Sequence, residues 1–218
     1  MHRRIPGSTR AFTLIDLLVI VAVVAVIGAL VATGGVWLAN AKPKAIRISC
    51  VNGLKQCELA FQVWSGDNNG KLPMEISTNF GGTRELVADG NAFRHFQVMS
   101  NELSTPKIVY CPADTRRAAT NFGNDFNNNR VSYFVGANAS LTNAQALLCG
   151  DRNITNGFSS DRGILTLDAN RATGWNEQLH KGRGNVSVGG SVKLVSNGDL
   201  RDVLKNTTGW TNRIILPE

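Results

Sequence analysis

Several groups in this 218-residue chain have chemistry to offer: a carboxylate in an apolar run, four cysteines, three histidines and a loop rich in oxygen donors. Asp16 lies inside AFTLIDLLVIVAVVAVIGALVATGGVWLA, residues 11–39. An ionised group there is expensive and marks a functional site whose partner has to be found. The bland alternative is a carboxylate near the end of a span that snorkels to the polar interface, and position alone does not choose. Cys50 and Cys57 stand seven apart, roughly 10 Å along a helix axis, too far to bond to each other. In an exported domain each could pair with Cys111 or Cys149, so disulfides among the four remain open beside buried free thiols. The lack of a short C-x-x-C knuckle argues against zinc.

His2, His95 and His180 are the only imidazoles. His180, five residues before Asn185, could orient a turn or serve as a base, and the structural role is the expectation. Asp125-Phe126-Asn127-Asn128-Asn129 offers oxygens at alternate positions. Arg130, however, stands where a calcium loop needs Gly, and no Glu follows at the right distance. No H-E-x-x-H, G-x-S-x-G or P-loop is present. No catalytic residue and no metal ligand is assigned, and the chain is not expected to be an enzyme.

The elements that would position these groups begin with the apolar run. From Leu17 to Ala39 there are 23 residues without formal charge, about 35 Å of helix, enough to cross a hydrocarbon core of roughly 30 Å. A cleavable secretory signal has a shorter apolar core, and a soluble helix rarely stays apolar on every face for so long. The net charge of +7 includes Arg3, Arg4 and Arg10; the 23 Lys and Arg less these three leave 20 against 16 Asp and Glu, a weak nucleic-acid signal. The same cluster argues for a cytoplasmic N-terminus.

Beyond the run, Ile46, Cys50, Leu54, Cys57, Phe61 and Trp64 recur at spacings of three and four, one apolar stripe along a helix. This stripe is expected to pack on the chain's own sheet. Pro43 should bend the element, and Ser65-Gly66-Asp67-Asn68-Asn69-Gly70 should stop it. Strands are predicted at Lys107–Cys111, Val131–Val135, Ala146–Cys149, Ile164–Leu167, Asn185–Val188 and Val192–Ser196. The last two should form a hairpin through Gly189-Gly190-Ser191. Asp199–Lys205 reads as a short helix, and 121–129 as a surface loop.

Arg10-Ala11-Phe12-Thr13-Leu14-Ile15-Asp16 resembles the N-terminal processing signal of type IV pilins and type II secretion pseudopilins. The resemblance implies cleavage by a prepilin peptidase between Ala11 and Phe12, methylation of Phe12, and an acidic assembly role for Asp16. Ala11 replaces the usual Gly, and Asp16 the usual Glu. A second likeness, carried by Arg47-Ile48-Ser49-Cys50-Val51-Asn52-Gly53-Leu54-Lys55-Gln56, Asp67-Asn68-Asn69-Gly70 and Tyr110-Cys111-Pro112-Ala113-Asp114, is to the pilin-like proteins of planctomycetes and verrucomicrobia. These often end in His, nine residues, then Asp-Gly. His180 begins that motif here, but Gly190-Ser191 stand at its end.

The resemblance implies an α+β, pilin-like fold: a long N-terminal helix, transmembrane then amphipathic, packed on a small antiparallel sheet. Residues 1–11 would be a basic leader, 12–39 the transmembrane and assembly helix, 40–65 its amphipathic continuation and 66–218 an extracytoplasmic β-rich domain. The implied function is a subunit of a type II secretion pseudopilus, with a type IV pilus subunit as the alternative. An anchored periplasmic binding protein or enzyme is the alternative of another class. Implied partners are the peptidase and methyltransferase, other pilin or pseudopilin subunits and an inner-membrane assembly platform, not nucleic acid. The implied location is the inner membrane, single-pass, with the domain periplasmic or on a filament. No cofactor is expected, calcium being admitted only because major pseudopilins commonly bind it.

Overall fold

The computed structural model describes residues 13–143, 145–169, 172–207 and 212–218, without the side chains of 32–40. The proposed leader, Ala11 and Phe12 lie outside the described residues. Helix α1 runs Leu14–Asp67 with Pro43 inside it. The chain divides into two compact units at Ala45 and Ile46.

The first unit is the apolar part of α1. Leu14–Val31 is long and apolar enough to cross a membrane, and none of it is buried within the protein. Every large apolar side chain there is exposed, so the helix is apolar on all its faces.

The second unit contains the rest of α1 and an antiparallel sheet. The α1 stripe is buried where the spacing predicts: Cys50, Leu54, Cys57, Phe61 and Trp64 are in the core and Ile46 packs against it. The helix ends at Asp67, with Asn69 and Gly70 in left-handed conformations. Short helices follow, α2 at Ala92–Gln97 and α3 at Ser100–Leu103.

The strands are β1 Tyr133–Gly136, β2 Leu147–Asp151, β3 Ile154–Thr155, β4 Ile164–Leu167, β5 Gly174–Trp175, β6 Gly184–Val188, β7 Ser191–Val195 and β8 Asn212–Ile215. Six form one sheet in the order β4-β8-β1-β2-β6-β7, while β3 and β5 make a separate ribbon. All pairings are antiparallel.

Alternation along the strands gives the sheet two cores. Tyr133, Val135 and Cys149 join the α1 side. Phe134, Val186, Val188 and Ile214 join the other side, covered by Leu200 and Leu204 of α4, Asn197–Lys205, and by Ile154 and Trp175 of the ribbon. Asn185 and Ser187 of β6 alternate with Val186 and Val188, so they fall on the α1 side.

Three local expectations change. Lys107–Cys111 is not a strand; Pro106–Val109 is a 3-10 turn capped by the Thr105 side chain, because Pro106 fixes φ and removes a ladder donor. Strand β8 was not foreseen, although it joins β4 to β1. The β6–β7 turn is shorter than expected: Ser191 pairs with Val188, leaving Gly189 and Gly190, both at positive φ, as the two-residue connection that suits a hairpin's twist.

Candidate functional site

Two groups of residues carry the chemistry. The first is at the start of α1. The Thr13 N–H and Oγ1 donate to Asp16 Oδ2 at 3.0 and 2.8 Å, and the Asp16 N–H donates to Thr13 Oγ1 at 3.3 Å. This is a reciprocal cap of the capping-box type: it satisfies backbone donors that otherwise have no partner in the first turn. Thr13 was missed in the sequence reading, although a Thr three residues before an acid is the signal for such a cap. Asp16 therefore has a local task, with its carboxylate still exposed.

The second group lies beneath α1 in the folded domain. Of the four cysteines, Cys50 and Cys111 form a disulfide. Cys57 and Cys149 are instead buried free thiols. Cys57 sits two turns beyond Cys50, with its sulfur 3.9 Å from the Ile108 carbonyl. Burial pushes both free thiols far above their ordinary range, so neither is a ready nucleophile.

Cys111 is followed by a turn closed by the Asp114 N–H donating to the Cys111 carbonyl. Asp114 then accepts two hydrogen bonds from Arg152, each 2.7 Å. Burial alone would raise the Asp114 carboxyl, but the paired guanidinium holds it below its ordinary value.

Next to Arg152, Asp151 ends β2 with no exposure. Its Oδ2 accepts from the Asn185 N–H at 2.7 Å and from Asn185 Nδ2 at 2.8 Å, while Oδ1 has no hydrogen-bond partner. Burial pushes this carboxyl up to about 7, against the lowering effect of the two Asn185 donors.

His180 completes the cluster. His180, Lys181 and Gly182 all adopt positive φ, and this left-handed turn aims the imidazole inward, its side chain 4% exposed. Nε2 lies 3.5 Å from Cys111 Sγ and 3.5 Å from Asp151 Oδ2. Burial, then repulsion from Arg47, lowers its proton affinity.

The geometry limits what this cluster can do. A nucleophile relay needs one imidazole nitrogen for the sulfur and the other for the carboxylate, whereas His180 presents the same nitrogen to both. The sulfurs of Cys50 and Cys111 and a His180 nitrogen lie within 4.8 Å of one another, but the closed disulfide leaves neither sulfur as the thiolate that a metal requires. The arrangement serves best as a brace, tying α1, the Cys111 turn, β2 and the segment before β6 together.

No family model, curated protein or solved structure matches the chain.

Of the residues singled out in the sequence, His180 and Asn185 meet through Asp151, and Cys50 meets Cys111. Asp151 and the Asp114–Arg152 pair were missed. The signal for them was faint: two adjacent charged residues, Asp151-Arg152, directly after the buried run Leu147-Leu148-Cys149-Gly150. Asp125 Oδ2 accepts from the Thr120 N–H and Oγ1 at 2.8 and 2.9 Å, so that carboxylate oxygen holds its own loop.

Proposed function

We propose that this chain is a pilin-like structural subunit, processed by a prepilin peptidase and assembled into a type II secretion pseudopilus. The observation that carries the reading is the change of character along α1. Leu14–Val31 is apolar and unburied, with an acid in its first turn, whereas the stripe from Cys50 to Trp64 is buried in a sheet-bearing domain. A helix with those two faces anchors a globular domain and leaves its apolar part for other helices or lipid.

In this reading, cleavage before Phe12 creates an ammonium at the membrane edge, and Asp16 of a neighbouring subunit pairs with it. In low dielectric such a pair acts mainly through the penalty for leaving either charge alone, so it sets register. The cap between Thr13 and Asp16 makes two substitutions necessary for the test. Asp16→Ala removes cap and charge together, while Asp16→Asn keeps an acceptor for the Thr13 N–H and removes the charge. Both variants should insert and lose the leader normally yet fail to assemble, as read by crosslinking and by microscopy of sheared filaments. Normal filaments from Asp16→Asn would refute the electrostatic register. Mass spectrometry of the protein from its native cell should find N-methylated Phe12 as the first residue; an intact Met1 in cells that contain the peptidase would count against the whole reading.

A further inference from the structure

A cavity of about 220 Å³ opens beside the second half of α1, between β2, the turn after β1 and the β6–β7 hairpin turn. Leu72, Ala139 and Leu148 give it apolar walls. It also holds a carboxylate: Glu58, on α1, is only 5% exposed. None of the described residues lining the cavity is basic, and Glu58 enters no ion pair among the described residues. Its side chain accepts one long hydrogen bond, from Gln62 Nε2 to Oε1 at 3.5 Å, the outer limit for such a contact.

A second group in the same cavity is only weakly matched. Ser187 is 1% exposed, and its Oγ has no nitrogen or oxygen partner among the described residues, its hydroxyl acting only on the neighbouring Cys149 thiol. Its paired residue on β2 is Cys149, whose thiol is a weak partner. A buried carboxyl group without a cationic partner and a hydroxyl with lone pairs to offer therefore share one opening. The left-handed Gly190 keeps that opening clear, since a Cβ there would stand 3.6 Å from Glu58 Oε1.

These groups specify the ligand's chemistry. A buried charge calls for an opposite charge that also supplies hydrogen bonds. A hard metal ion is held by several charged oxygens at fixed distances, whereas Glu58 is the one carboxylate among the described lining residues. A guanidinium is best held across both carboxylate oxygens in one plane and is the larger, flat cation. An ammonium needs only point acceptors, and an alkyl stem fits beside leucine and alanine. We propose that this cavity is a binding site for a primary ammonium group, carried by a small free alkylamine or by a lysine side chain, with Glu58 as counter-ion and Ser187 Oγ as a further acceptor.

The test uses the full chain in a zwitterionic detergent, with ligand-observed NMR titration of n-butylammonium, Nα-acetyl-lysine methylamide and n-butanol. Both ammonium probes, or n-butylammonium alone, should bind saturably and n-butanol should not; the first pattern points to a lysine side chain and the second to a free amine. Glu58→Gln should weaken binding by about tenfold or more, the effect of removing a charged hydrogen-bond partner. Ser187→Ala should weaken it by a smaller factor. Near-UV circular dichroism identical to the parent's establishes that each variant is folded. Saturable binding by neither ammonium probe overturns the proposal, as does equal binding of n-butanol or equal affinity in a folded Glu58→Gln chain.

Discussion

Asp151 is the side chain whose ionisation the fold disturbs most usefully. Its carboxyl titrates at 3.8 ordinarily and at about 7 in the folded protein, so between these values the folded state holds a proton that the unfolded chain has released. Its contribution to stability is then fully present below about pH 4 and is lost as pH rises through about 7, at most ~1.4 kcal/mol per pH unit. Two histidines act in the opposite sense. Burial lowers His95 from 6.5 to about 4, and burial with Arg47 lowers His180, so the unfolded chain binds those protons first and stability rises with pH below about 6.5. The Asp151 effect is therefore isolated by difference. Asp151→Asn should become progressively more stable relative to the parent as pH rises from 4 to 7, measured by urea unfolding; a difference independent of pH would mean that Asp151 is ionised throughout. At this scale the sequence marked His180 and Asn185 but not Asp151, because an acid at a strand end acquires its environment only when β6 and the His180 turn close over it.

At the scale of elements, the α1 stripe was legible because helical spacing is a local property, and the β6–β7 hairpin because its turn residues state their own conformation. The Lys107–Cys111 segment misled because β-branched residues looked like a strand while Pro106 had already set a turn. Strand β8 was hidden: four residues gain their meaning only from β1 and β4, remote in sequence. The contact of α1 with the sheet yields two tests. Gly53 faces β1 so closely that a Cβ would stand 2.9 Å from both the Ile108 carbonyl and Tyr133 Oη, the hydroxyl that donates to the Cys50 carbonyl at 3.2 Å. Gly53→Ala gains about 1 kcal/mol of helix propensity, yet overpacking at a buried contact costs ~1–3 kcal/mol and the tyrosine hydrogen bond is strained as well. A net loss is expected in thermal unfolding, and a net gain would show that the helix can shift. The Cys50–Cys111 bridge joins positions 61 apart, so replacing both cysteines by Ala should lower stability by about 2–4 kcal/mol, read as a lower denaturant midpoint.

At the scale of the whole molecule, the exposed apolar surface is gathered on one segment of the chain. Thirteen of the nineteen exposed large apolar side chains among the described residues lie between Leu14 and Val31, and six are scattered from Ile48 to Phe158. Apolar surface concentrated in this way marks contact with lipid or another protein, whereas single exposed residues are ordinary. The second unit has its own two cores, its disulfide and its sheet, so a chain starting at Ile46 should fold alone. It should unfold cooperatively and run as a monomer by size exclusion with light scattering, while the full chain in membranes crosslinks through positions in 13–31. The two results depend on different physics. If the shortened chain is molten, the apolar part of α1 contributes to folding and the two units are not independent. If it folds but self-associates as strongly as the full chain, the contacts that join copies lie on the domain, and Asp16 then acts only as half of a helix cap.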